Sequence, residues 1–150
     1  MNIMKKFFLS AAILLGAIVS MSADDRERPT TVDKLPAPAQ EFLKAHFSSL
    51  TVAFVVEDPK MAGSEYEVTY TDRTEVDFDT KGNWTSVECK YGPVPASVVP
   101  QQISDFVAKG NFQGTYVRSI SRNTYTWEAE LSNGLEIEFD SNFNLLGYDD

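Results

Sequence analysis

Between residues 65 and 79 apolar and polar side chains take turns. Tyr66, Val68 and Tyr70 share one parity, while Glu65, Glu67, Thr69 and Thr71 take the other. Val76 and Phe78 then alternate with Glu75, Asp77 and Asp79. The same period of two returns further on. Tyr125, Trp127, Ala129 and Leu131 oppose Thr126, Glu128 and Glu130, and Leu135, Ile137 and Phe139 oppose Glu136, Glu138 and Asp140. Alternation of this kind predicts antiparallel strands with one dry and one wet face. Asp72-Arg73 and Asn133-Gly134 sit where tight hairpin turns belong. Residues 79–83 close a further hairpin, with Gly82 able to take a positive φ. β-branched runs at 51–57 and 115–121 predict a strand before each hairpin, and 84–90 and 145–148 predict one after it.

Two stretches change to the helical period. Ala39, Phe42, Leu43 and Phe47 fall on one helical face, as do Val99, Ile103, Phe106 and Val107. Pro36 and Pro100 suit the first turn of these helices.

The two halves resemble each other. An apolar-Pro pair, Leu35-Pro36 or Val99-Pro100, is followed six residues after the proline by Phe42-Leu43 or Phe106-Val107. Thr74-Glu75-Val76-Asp77-Phe78-Asp79 matches Leu135-Glu136-Ile137-Glu138-Phe139-Asp140, and Asn83 matches Asn144. The offset is 64 in the first block and 61 in the second, as a shorter loop in the second half would require. The expected fold is therefore α+β, with two tandem repeats at about 31–90 and 94–150. Each is an N-terminal helix followed by a four-stranded antiparallel sheet. The Pro-stiffened connection 91–95 implies that the repeats pack together.

The first residues set the compartment. Lys5 and Lys6 precede an apolar stretch of about 13 residues, shorter than the roughly 20 needed to span a bilayer as a helix. Small residues at Ser20, Ser22 and Ala23 follow, then a charged run. This order predicts a signal peptide over 1–23, cut after Ala23, with a flexible tail over 24–30 and a domain over 31–150. A retained membrane anchor is the other reading of the same stretch. Cleavage removes two lysines and no acid, so the charge moves from −9 to −11. That balance excludes nucleic acid, whose phosphates need basic patches, and it speaks against anionic membranes. It permits basic partners and favours solubility.

Few residues offer chemistry. His46 is the single histidine and Cys89 the single cysteine, so neither an internal disulfide nor a zinc site of ordinary ligands can be assembled. Cys89 shares the parity of Val87 and reads as a core residue. His46 reads as a residue near a helix C-terminus. Asp77-Phe78-Asp79-Thr80-Lys81-Gly82 is faintly similar to a calcium loop, but its twelfth position is Glu88 on a strand, and the hairpin accounts for the same residues. Neither cofactor nor catalytic residue is expected, and the chain is read as no enzyme.

One feature asks for an explanation. The polar parity of the central hairpins is almost wholly acidic, although like charges on neighbouring strands repel. Glu65, Glu67, Glu75, Asp77, Glu128, Glu130, Glu136 and Glu138, with Trp84 at the margin, form a candidate binding face for a basic protein or peptide. A solvated face that resists aggregation accounts for the same residues. A competing placement puts the interaction at the turn around Lys60, Met61, Ala62 and Gly63.

The duplicated pattern (Leu/Val-Pro, an amphipathic helix with Phe, and a hairpin Glu-Val/Ile-acidic-Phe-Asp-x-x-x-Asn) resembles the PepSY-like, β-lactamase-inhibitor-like family of exported bacterial proteins. The resemblance covers about 31–150. It implies a periplasmic or secreted, non-catalytic module that binds or inhibits another envelope or extracellular protein. The alternative is an accessory protein for a cation or small ligand. The inhibitors of that fold usually carry disulfides, which this chain cannot form. Partner identity and oligomeric state stay open at this level.

Overall fold

The computed structural model describes residues 27–150. The expected signal peptide and the first residues of the expected tail lie outside the described residues. Strand β1 (Arg28–Thr30) comes first, then a 3-10 turn (Val32–Lys34) and helix α1 (Ala37–Phe47). Strands β2 (Val52–Lys60), β3 (Gly63–Tyr70), β4 (Thr74–Phe78) and β5 (Trp84–Cys89) follow. Helix α2 (Gln101–Lys109) precedes β6 (Val117–Arg122), β7 (Thr126–Leu131), β8 (Glu136–Asp140) and β9 (Leu145–Asp149).

All nine strands form one antiparallel sheet in chain order. This corrects the expected two repeats, each with its own four-stranded sheet. The β5 edge is not left open but pairs with β6, through Ser86–Ser121, Val87–Ile120 and Glu88–Ser119. Pairing satisfies backbone groups that two separate sheets would leave bare at their edges. Arg28–Thr30, expected in the tail, instead adds an edge strand against β2, held by Arg28 Nε at 3.0 Å from Glu57 Oε2.

One belt of apolar side chains crosses the sheet. Val55, Val68, Val76, Val87, Ile120, Ala129 and Ile137 are cross-strand partners in turn, and all are buried. The belt passes through the β5–β6 junction without a break, so the two halves share one core. Both helices cover this face. Helix α1 buries Ala39, Leu43 and Phe47 and sets Phe47 against Tyr70 at 5.7 Å. Helix α2 buries Ile103 and packs Phe106 edge-on to Phe139 at 5.2 Å. Pro36 and Pro100 occupy the N-cap positions, where no backbone donor is missed.

Two hairpin turns have the same construction. Asp79 Oδ1 accepts from the backbone N–H groups of Lys81 and Asn83, and Oδ2 accepts from Asn83 Nδ2. Asp140 does the same for Asn142 and Asn144. Gly82 takes the left-handed position at φ 84°, and Phe143 takes it in the second turn at φ 64°. A Cβ on Gly82 would come within 2.7 Å of Pro36, so that turn also needs glycine for space.

Candidate functional site: the acidic face of the sheet

Alternation that sends the valine belt toward the helices sends the intervening side chains to the other face. Register turns them into two rows. One runs Val56, Glu67, Asp77, Ser86, Ser121, Glu128, Glu138. The other runs Thr69, Glu75, Glu88, Ser119, Glu130, Glu136, Asp149. Glu65 lies beside the first row, opposite Asp58. The structure thus brings together Glu65, Glu67, Glu75 and Asp77 on one side, and Glu128, Glu130, Glu136 and Glu138 on the other. The serines of β5 and β6 lie between them. Three strand spacings separate β4 from β7, about 14 Å.

Solvation sets Glu67 apart from the other acids of the face. Glu128, Glu130, Glu136 and Glu138 are half-exposed. Glu67 is only 7% exposed, although it lies on the wet side with Val56 and Asp77 as cross-strand partners. Thr69 Oγ1 donates to Glu67 Oε1 at 3.4 Å. Asp77 Oδ1 is fully buried and has no hydrogen-bond partner among the described residues. Burial, reinforced by Glu75, pushes Glu67 up to about 7. Burial again, reinforced by Glu67, Glu75, Glu88 and Glu65, pushes Asp77 up to about 8. Burial also raises Glu88, and Arg118 partly offsets the shift.

Sequence reasoning missed Glu88 and Arg118. Glu88 belongs to the second row by simple parity in β5. Arg118 does not follow parity. An irregularity between Val117 and Ser119 in the β6–β7 register turns it to the acidic side. There Nη2 bonds Glu130 Oε1 and Nη1 lies 3.7 Å from Glu88 Oε1.

Trp84 requires a correction. Parity with Ser86 and Glu88 predicts it beside the carboxylates. The β4–β5 register instead slips between Asp77–Ser86 and Phe78–Trp84, leaving Thr85 as an extra residue. The bulge swings Trp84 to the helix side. It stacks on Phe42 of α1 at 5.6 Å and meets Trp127 at 5.9 Å. The Arg122 guanidinium lies 4.2 Å above its ring and donates from Nε to the Trp84 carbonyl at 2.9 Å. Trp84 is therefore part of the aromatic packing that ties the two halves together.

The other candidates have structural uses. Both Asp79 oxygens accept hydrogen bonds within the turn, which accounts for the loop faintly similar to a calcium site. Among the described residues no group of three or more His, Cys, Asp or Glu is arranged to hold a metal ion. Cys89 is buried, burial raises its thiol pKa, and Thr74 Oγ1 lies 3.7 Å from Sγ. His46 Nδ1 lies 2.9 Å from Ser97 Oγ. Met61 at the β2–β3 turn is fully exposed.

A family model described as "Putative beta-lactamase-inhibitor-like, PepSY-like" matches residues 64–147. The chain belongs to this family. The match takes in both acidic hairpins and α2, a narrower span than the expected 31–150. Among solved structures, a DUF2874-family protein from Bacteroides vulgatus ATCC 8482, described as a "putative periplasmic protein", is 40% identical. The alignment covers 86% of this chain and 100% of that one, with a TM-score of 0.78. A Bacteroides thetaiotaomicron protein, described as a "putative calcium-regulated periplasmic protein", is 37% identical over 84% of this chain and 98% of that one, at a TM-score of 0.79. A second Bacteroides vulgatus ATCC 8482 protein, of unknown function, is 35% identical over 83% and 99%, at 0.76. No curated protein matches. As a PepSY-like protein of this group, the chain is periplasmic or secreted. Among the described residues no helix is long and apolar enough to cross a membrane.

Proposed function

We propose that this PepSY-like protein is a non-catalytic binding or inhibitory module of the periplasm or cell exterior, and that its acidic sheet face recognises a basic surface on another protein. The observation that carries the reading is the pair of carboxylate clusters, on β3–β5 and on β7–β8, that the serines of β5 and β6 join into one face. Within the clusters acids stand directly opposite acids, as in Glu67–Asp77, Glu128–Glu138 and Glu130–Glu136, where a lysine or threonine as one partner would avoid the cross-strand repulsion. Complementary charge on a partner converts that repulsion into attraction and speeds encounter. The β-lactamase-inhibitor-like family description supports a protein target.

The test uses the four half-exposed glutamates of β7 and β8, whose reversal leaves Glu67 and Asp77 untouched. Wild type and the E128K/E130K/E136K/E138K variant are used as bait against a periplasmic extract. A basic protein retained by wild type, released by salt and absent from the variant is expected. Partners retained equally by both would place the interaction elsewhere, with the exposed Met61 turn the first alternative.

A second reading, cation binding, is favoured by the calcium-regulated description of the Bacteroides thetaiotaomicron relative together with the carboxylate density. It predicts a rise in Tm on adding millimolar calcium that a chelator reverses. An unchanged Tm disposes of it.

A further inference from the structure

At the β3–β4 pairing, Glu67 and Asp77 sit directly opposite each other, with side chains on the same face. Opposed residues on neighbouring antiparallel strands hold their Cβ atoms about 5 Å apart, within reach of a carboxyl-to-carboxylate hydrogen bond. Among the described residues, the charged groups that act on the pair are all acids. Glu65 lies two residues along β3, Glu75 two residues along β4, and Glu88 on β5 beyond it. Glu27, just before β1, also acts on Glu67 as a like charge. On β2 the cross-strand neighbour is Val56, and Asp58 one step further on lies opposite Glu65. Among the described residues, the nearby cations are engaged by other acids. Lys60 is held by Asp58 and Glu65, and Arg118 by Glu88 and Glu130.

We infer that Glu67 and Asp77 share one proton around neutral pH, and that this proton sets how much negative charge the face shows to a cationic partner. The second half rests on the binding reading above; the first does not. Two ionised carboxylates on directly opposed residues, one with a buried oxygen that lacks a donor among the described residues, repel strongly. One proton removes the repulsion and gives the orphaned Asp77 Oδ1 a partner, because the protonated group becomes a donor. The upward shifts of both groups, each caused first by burial, agree with this arrangement. The pair then titrates as a unit. A cation docking on the face favours the ionised form and releases the proton, so binding tightens as pH rises.

Carboxyl carbon NMR across a pH titration tests the pair without any partner. In wild type two carboxyls are expected to titrate above about pH 6, well clear of the ordinary range near 4. In Asp77→Asn the Glu67 midpoint should fall by about one unit or more, and in Glu67→Gln the Asp77 midpoint should fall likewise. Wild-type midpoints for both residues below about pH 5 would overturn the shared proton. The coupling is tested by calorimetry with a lysine-rich peptide, in buffers of different ionisation heat. Proton release by wild type, absent from the E67Q/D77N double variant, is expected. Binding without proton release overturns the coupling and leaves the binding reading standing. High carboxyl midpoints with no peptide binding at any pH sustain the shared proton and count against a charge-recognising face, and the coupling falls with it.

Discussion

Asp77 is where local sequence and local environment disagree most. Its neighbours in sequence make it an ordinary wet-face acid, yet its Oδ1 is buried and lacks a donor among the described residues. Its raised pKa gives stability a definite pH dependence. In the unfolded chain Asp77 and Glu67 ionise near 4, whereas in the fold they hold protons to about 8 and about 7. The folded state binds more protons between those values, so their contribution is full below about pH 4 and is lost as pH rises toward 8. Asp77→Asn should therefore be stabilising at pH 8, by about 1–3 kcal/mol, the usual cost of an unpaired buried polar group. The gain should shrink toward zero at pH 5. Urea unfolding at the two pH values measures it. Gly82→Ala should lower stability by more than about 1 kcal/mol, because alanine is strained at positive φ and its methyl would meet Pro36.

At the scale of elements, the two register slips matter as much as the strands they interrupt. The β4–β5 bulge removes Trp84 from the acidic face, and the irregularity in β6 adds Arg118 to it. Arg118 stands among Glu88 and Glu130 as a counter-charge. Arg118→Ala should cost up to about 1 kcal/mol at low salt by removing the counter-charge that Glu88 and Glu130 share across Ser119, and the loss should diminish as salt screens the interaction. Thermal melts across a salt series check both points. The alternating strands, the helix faces and the turns were legible in sequence because their periods are set by backbone geometry. The bulges were not, because one extra residue in a strand leaves the alternation on either side looking unbroken.

At the scale of the molecule, the valine belt through the β5–β6 junction makes the halves one cooperative unit. Ile120→Ala at that junction should cost about 2–5 kcal/mol. The fluorescence of Trp84 and the far-UV circular dichroism should still unfold at one shared urea midpoint, lowered from wild type. Separate midpoints would mean that the halves unfold independently. Cys89, buried in the same core, should resist thiol reagents in the native protein and react fully in denaturant.

Alternation and helical period alone determined most of the residues that face the core, where the hairpins turn, and that one surface is acidic. All of this follows from side-chain directions that neighbouring residues impose on each other. Tertiary structure decided what distant segments do together. It joined β5 to β6 in one sheet, carried Trp84 to the helices, and placed Glu67 against Asp77 where Glu67 is buried and Asp77 Oδ1 finds no donor among the described residues. Pairing register and burial arise between residues far apart in sequence, and no local pattern encodes them.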